Sequence, residues 1–379
     1  MRGLWHHVAL AALGVGAAWW VYRAGDAEER SDEEVVVLEC ESSALRAFEL
    51  VTKQRRTRVE ARGGQGGTER YFWVTVERTP EQGERTRESF VGSKNAEELA
   101  GRLAPLRAIR SLGEVQRNLL SELKLEGAET HLVIECGGKT HRYALGETTF
   151  GSGDRYARLA NGGPVFLLSS EIVRDLESAE FRLMQRELHR FERREVETVL
   201  VKAHGREQTL LQRHRLDPDR AEWVDADTPD QRNELYGNWL DRVGRLRVQS
   251  YLAPDAAPGS DLTESAGRTT VVEIAYRDPR GRQLGRLELV RVDAAEPQYY
   301  ARTETTRGWV KVLRSVAQQV DDDARPVVGL DPVTRTEAPT TRSDGGTASD
   351  SRLPAPTSVT TPGAASPSAS GSSHAGHAH

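Results

Sequence analysis

The sequence predicts an α+β protein: an N-terminal transmembrane helix, two similar modules of antiparallel sheet with packed helices, and a disordered C-terminal tail. Three observations carry this reading. Residues 4–22 form one apolar run, the chain between about 35 and 330 repeats an order of strands and helices, and Thr, Pro, Ser, Gly and Ala dominate thereafter. The expected divisions are an anchor at 1–23, an acidic linker at 24–34, a first module at 35–192, a second at 193–330 and a tail at 331–379.

The run LWHHVALAALGVGAAWWVY would rise roughly 28 Å as a helix, close to the hydrocarbon thickness of a bilayer. Trp19, Trp20 and Tyr22 gather at its far end, where amphipathic rings favour the interface. Arg2 and the amino terminus precede it, and Asp26, Glu28, Glu29, Asp32, Glu33 and Glu34 follow, so a cytoplasmic amino terminus and an exported body are expected. Cleavage as a signal peptide is the rival reading, with Gly25-Asp26-Ala27 as a small-x-small step. The length of the run and its bulky aromatic close favour retention.

Each module is read as strands, a helix, more strands and a closing helix, the order β-β-β-α-β-β-β-α occurring twice. VVVLEC (35–40), AFELVTK (47–53) and YFWVTVER (71–78) stand beside VETVLVKA (196–203), TLLQRHRL (209–216) and AEWVDAD (221–227), which places Trp73 opposite Trp223. Helices are expected at 96–109 and 231–248, sharing Glu-Leu-x-Gly at Glu98 and Glu234, with apolar residues at helical spacing (Leu99, Leu103 and Leu106; Leu235, Trp239, Val243 and Leu246). Tyr156-Ala157-Arg158 matches Tyr300-Ala301-Arg302. Closing helices are expected at 170–190, with Ser169 or Ser170 as N-cap, and at about 307–321. A helix near 180–195 would bury a stripe of Phe181, Met184, Leu188 and Phe191 and expose its arginines and glutamates as a solvated face.

Charge and chemistry narrow the function. The 379 residues carry 52 Lys+Arg against 57 Asp+Glu, which disfavours a general nucleic-acid binder. Two cysteines, Cys40 and Cys136, are too few for a disulfide scaffold or a four-cysteine zinc site, and their pairing is left open. The sequence lacks a P-loop, a dinucleotide fingerprint, His-Glu-x-x-His and Gly-x-Ser-x-Gly. The glycines of 146–153 (GETTFGSG) read as a hairpin connection. His131 and His141 flank Cys136, but strand alternation sets His131 and Cys136 on opposite faces. The closing His374, His377 and His379 lack a scaffold to preorganise them as ligands. No catalytic, cofactor-binding or metal-binding residue is therefore expected.

Leu145-Gly146, Arg155-Tyr156-Ala157-Arg158 and Val165-Phe166-Leu167-Leu168 together resemble the repeated core of the domain-of-unknown-function 4340 (DUF4340) family. Glu187-Leu188-His189-Arg190-Phe191, followed by the strand from Val196, resembles that family's junction into its second repeat. Trp73 and Trp223 match its tryptophan before each post-hairpin helix. The resemblance covers about 35–325 and is clearest over 96–250. The family's Gly-Leu-x-x-Pro is replaced by Leu125-Glu126-Gly127-Ala128. The resemblance implies a bacterial single-pass exported protein, often encoded beside an ABC transporter, and brings no catalytic residues.

The expected function is a non-enzymatic, membrane-anchored scaffold or accessory subunit of an envelope complex, held in the bacterial inner membrane with its body in the periplasm. Its expected partners are the membrane and other envelope proteins, an ABC transporter among them by family resemblance. The alternative is a module that binds a ligand, glycan or peptide in a cleft between the halves, using Tyr156, Trp239, Tyr299 or Tyr300. A hydrolase would require a Ser, His and acid, or two carboxylates, converging in one pocket.

Overall fold

Alternating and fully apolar runs between turn residues become antiparallel strands throughout. The computed structural model describes residues 34–64, 69–263 and 267–332. The predicted anchor and nearly all of the predicted linker and tail lie outside the described residues. Among the described residues, no helix is long and apolar enough to cross a membrane.

A small sheet pairs β1 (Val35–Leu38) with β6 (Leu106–Ala108). The first large sheet contains β2 (Leu45–Val51), β3 (Arg55–Arg62), β4 (Tyr71–Arg78), β5 (Thr86–Val91), β7 (Arg110–Gly113), β8 (Thr130–Cys136), β9 (Lys139–Thr148), β10 (Arg155–Leu159) and β11 (Val165–Leu168). Their spatial order is β5-β4-β3-β2-β8-β9-β10-β11-β7. The second contains β12 (Thr198–Ala203), β13 (Arg206–Arg213), β14 (Glu222–Asp225), β15 (Val248–Tyr251), β16 (Arg268–Arg277), β17 (Gln283–Val292), β18 (Gln298–Thr303) and β19 (Val310–Val312). Its order, β14-β13-β12-β16-β17-β18-β19-β15, repeats the first once β5 is set aside.

The register makes the repeat concrete. Ala157 lies opposite Leu145 and Phe166, and Ala301 lies opposite Leu289 and Val310. Both alanines are fully buried, so the two Tyr-Ala-Arg runs occupy one position in two copies of the sheet. Trp73 on β4 and Trp223 on β14 also lie on equivalent strands.

The helices are α1 (Lys94–Leu103), α2 (Arg117–Glu122), α3 (Ser170–Glu177), α4 (Ala179–Arg182), α5 (Glu234–Gly244) and α6 (Arg314–Val327). Leu99 and Leu103 of α1 and Ile172, Val173 and Leu176 of α3 share a core with Phe48, Leu50, Leu132 and Ile134. Trp239 and Val243 of α5 and Val320 and Ala324 of α6 share another with Val199, Val201, Leu287 and Leu289. Each such buried large apolar side chain contributes about 1.5–3 kcal/mol. Ser169 caps α3 by accepting from the Glu171 N–H at 3.3 Å, as its position before the apolar run predicts.

Several element boundaries differ from expectation. The helix expected at 96–109 stops at Leu103 because Pro105 drives Ala104 out of the helical region; β6 and β7 follow. The helix expected at 231–248 ends at Gly244, and its last residue, Val248, opens a strand, β15. Glu98 is the fifth residue of α1, whereas Glu234 is the first of α5, so the shared Glu-Leu-x-Gly is out of structural register. VVVLEC supplies β1 of the small sheet, and the counterpart of β12 is β2. The helix expected at 307–321 begins at Arg314, after β19.

The largest departure is at 170–190 and 180–195, where regular helix ends at Arg182. The next residues run extended between the edges of the two sheets. Ser93 N–H donates to the Leu183 carbonyl (2.7 Å) and Gln185 N–H to that of Val91 (2.9 Å), while Val248 N–H donates to Arg186 (2.9 Å). Met184 thus bridges Gly92, and Glu187 bridges Arg247. Phe181 is 83% exposed, whereas Met184 joins the first core and Leu188 the second. The expected apolar stripe is therefore divided among solvent and two cores.

The arginines and acids here also act at long range. Glu180 accepts from Arg55 (2.5 Å) and Arg78, tying α4 to β3 and β4, and its carbonyl accepts from Arg186 (3.0 Å). Arg182 pairs with buried Asp175, Arg190 with Glu97 (3.0 Å) and Arg193 with Asp241 (2.5 Å). Burial and the neighbouring charge of Glu180 push the Glu88 carboxyl above its ordinary pKa.

Cys40 and Cys136 form a disulfide with a Cα–Cα distance of 6.1 Å across 96 positions of sequence. It fastens the segment after β1 to the end of β8. A crosslink closing a loop near 100 residues stabilises by about 4.7 kcal/mol in the chain-entropy account. Cys40→Ala/Cys136→Ala should lower unfolding free energy by up to this amount in urea titration; an unchanged midpoint under oxidising conditions would contradict it. Glu180→Gln leaves Arg55 and Arg78 without their countercharge and should cost about 3 kcal/mol, read as a lower melting temperature. Arg87→Gln, at an exposed pair, provides the near-neutral control.

Candidate functional site

Residues 183–191 join the modules and carry their polar groups into a narrow space. Four further hydrogen bonds fix the segment: Tyr251 Oη donates to the Gln185 carbonyl (2.9 Å), Arg186 Nη1 to that of Val248 (3.4 Å), Gln185 Nε2 to Glu187 (2.8 Å) and Thr305 Oγ1 to Leu188 (2.9 Å). Tyr251 also sets its ring 6.4 Å from Phe90 of the first module. Its burial pushes the hydroxyl well above the ordinary tyrosine pKa, so it remains a neutral donor.

Beyond Leu188 the segment presents His189 and Phe191 to Tyr276. The three ring centroids lie 4.7–5.0 Å apart, with His189 and Phe191 stacked. Glu304 holds the imidazole: its Oε1 lies 2.9 Å from His189 Nδ1, and its Oε2 accepts from the Arg286 N–H at 2.9 Å. A carboxylate facing Nδ1 places a proton on that nitrogen and leaves Nε2 for another partner. Gly285 makes the arrangement possible, since a Cβ there would stand 2.7 Å from both Phe191 Cε1 and Glu304 Oε1.

Among the described residues, three buried side-chain polar atoms lack a hydrogen-bond partner: Ser93 Oγ, His189 Nε2 and Trp223 Nε1. All three residues line clefts that border the joining segment. One cleft, of about 760 Å³, is lined by Leu188, His189, Phe191, Trp223, Leu246 and Tyr276, with arginines around it. A second, of about 590 Å³, has Ser93, Lys94, His189 and Arg190 on its walls. Each unmet buried group costs about 1–3 kcal/mol, and their gathering around one segment marks it as the candidate site. His189 and Glu304 form a hydrogen-bonded pair, and Ser93 shares a cleft with His189 without bonding to it.

The aromatic residues named from sequence lie elsewhere. Trp239 is fully buried and donates from Nε1 to the Val320 carbonyl at 3.1 Å, coupling α5 to α6. Tyr299 and Tyr300 are buried and donate to Asp321 (2.9 Å) and Asp261 (2.6 Å). Burial first, then the adjacent carboxylates, push both hydroxyls well above the ordinary tyrosine range. Tyr156 packs, half-buried, against a satellite core of Leu120, Leu125, Ala144 and Val165. Trp239, Tyr299 and Tyr300 serve packing within the second module, and Tyr156 packs within the first.

His131 and His141 lie on β8 and β9, opposite Ala144 and Ile134. Burial, then the Arg142 charge, lowers the His131 pKa, and the Cys136 sulfur is occupied by its disulfide. The residues missed at sequence level were Trp223, Tyr276, Gly285 and Glu304 as neighbours of His189. The available signal was the Glu-Leu-His-Arg-Phe run itself, which places a junction without revealing what packs on it.

The fold and its joining segment define an α+β protein of two like antiparallel modules. The family model described as Domain of unknown function (DUF4340) matches residues 93–265. The match reaches from the residue before α1, across the junction, to beyond β15. No curated protein and no solved structure matches the chain.

Gly285→Ala should force Phe191 or Glu304 away and destabilise by about 1–3 kcal/mol. In the full chain, the His189 imidazole resonances should shift by NMR, while Gly101→Ala, whose Cβ meets nothing within 4 Å, should leave them in place. Equal behaviour of the two variants would contradict this assignment.

Proposed function

We propose that the protein is a non-enzymatic, membrane-anchored scaffold or accessory subunit of an envelope complex, with its body outside the cytoplasm. The observation that carries the proposal is the Cys40–Cys136 disulfide. Disulfides persist in oxidising compartments, in keeping with an exported body. This one ties the chain directly after the predicted anchor and linker to a central strand of the first sheet. A load entering at residue 34 would pass through β1 and this crosslink into the sheet, as suits a tethered scaffold. The inner membrane is the proposed location. The resemblance to exported proteins encoded beside ABC transporters directs the choice of partner.

Crosslinking in native membranes followed by pull-down tests the proposal. Transporter subunits should be recovered, and protease added to spheroplasts should digest the body while the anchor stays with the membrane. Recovery of no envelope partner would reject the scaffold assignment. Soluble mature protein beginning near Glu28 would reject the anchored form.

A further inference from the structure

We propose that the cleft beside the joining segment binds a small amphiphilic anion, an apolar ring system or chain bearing a carboxylate or similar acidic head. This goes beyond the scaffold assignment and does not depend on it. The observation behind it is the coincidence, around one cavity of about 760 Å³, of two lining residues that each hold an unmet polar atom, an apolar wall and an excess of cationic side chains.

The chemistry of the unmet atoms sets the head group. Trp223 is only 4% exposed, and its Nε1 can only donate. What completes it must be an acceptor. His189 Nδ1 already faces Glu304, so Nε2 is the ring nitrogen left for a further partner. Both residues line this cavity, and neither nitrogen has a protein partner.

The charge around the cavity favours an anion over a neutral acceptor. Arg193, Arg242, Arg245 and Arg247 line it, against the acids Glu187 and Asp241. Arg193 is paired with Asp241 and Arg242 with Asp323. Arg247 donates only from Nη1, to the carbonyls of Gly244 and Leu246. Arg245 is exposed, and its side chain makes no hydrogen bond or ion pair among the described residues. Guanidinium groups with unused N–H donors suit bidentate recognition of a carboxylate.

The walls set the body of the ligand. Leu188, Phe191, Val196, Leu240 and Tyr276 supply apolar and aromatic surface. A cavity of this size, with few converging polar groups, falls within the range of small-molecule sites.

The test uses the full chain with 2-naphthoate as probe and 2-naphthamide as its uncharged counterpart. The chain is labelled with 5-fluorotryptophan, and the Trp223 fluorine resonance is assigned by its loss in Trp223→Phe. Saturable 1:1 binding of naphthoate in calorimetry, a matching shift of the Trp223 resonance and at least tenfold weaker binding of the amide are expected. Arg245→Ala should weaken naphthoate by about tenfold at an unchanged melting temperature, and Arg245→Ala/Arg247→Ala should weaken it further. A saturable signal that leaves the Trp223 resonance unmoved would overturn the proposal. So would equal affinities for the two probes, indifference to the arginine substitutions, or no binding at millimolar probe.

Discussion

The hydrogen bonding of residues 183–188 is the constraint on which the rest of the molecule depends. A buried segment must find partners for its backbone groups, and each of the large sheets ends in a strand, β5 or β15, with unpaired backbone on one side. The segment meets both needs by lying between them: Leu183 and Gln185 bond towards β5, and Arg186 towards β15. Two edges that would otherwise invite association with another chain are thereby sealed. The segment cannot be helical and do this, because a helix uses its own backbone groups internally.

That competition explains what could and could not be read from the sequence. Strands such as β2, β4 and β12 were legible because their alternation or apolar runs have local causes. The twofold order was legible because Tyr-Ala-Arg and the tryptophans recur at corresponding places. The joining segment was misread because Phe181, Met184, Leu188 and Phe191 have helical spacing, yet the two sheet edges offered more. Helix ends were misplaced where a long-range strand partner, β1 for β6 or β19 for β15, took over residues. Only the position of the candidate site was legible, through the junction-like run at 187–191; its neighbours Tyr276 and Glu304 arrive by tertiary folding.

The repeat also shows why the site occurs once. Two copies of a sheet supply two sets of cores, and Trp239, Tyr299 and Tyr300 are consumed in building theirs. The joining segment has no second copy, so its environment draws on both modules without a symmetry mate. The unmet atoms Ser93 Oγ, His189 Nε2 and Trp223 Nε1 gather there, while the hydroxyls of Tyr299 and Tyr300 are paired. Functional specialisation is favoured where repetition ends. The DUF4340 match, from 93 to 265, frames this unique region and leaves each module incomplete at one end.

The strand order imposes a timetable on synthesis. In each module the edge strand that follows the first helix, β7 or β15, is made before the strands that connect it to the rest of the sheet. β7 waits for β11, and β15 waits for β19, some sixty residues later in the second case. Cys40 likewise emerges 96 positions ahead of its partner. A growing chain therefore carries open sheet edges and an unpaired thiol through much of its elongation, and a chaperone or a narrow export channel would shield it most usefully before residue 312 has appeared.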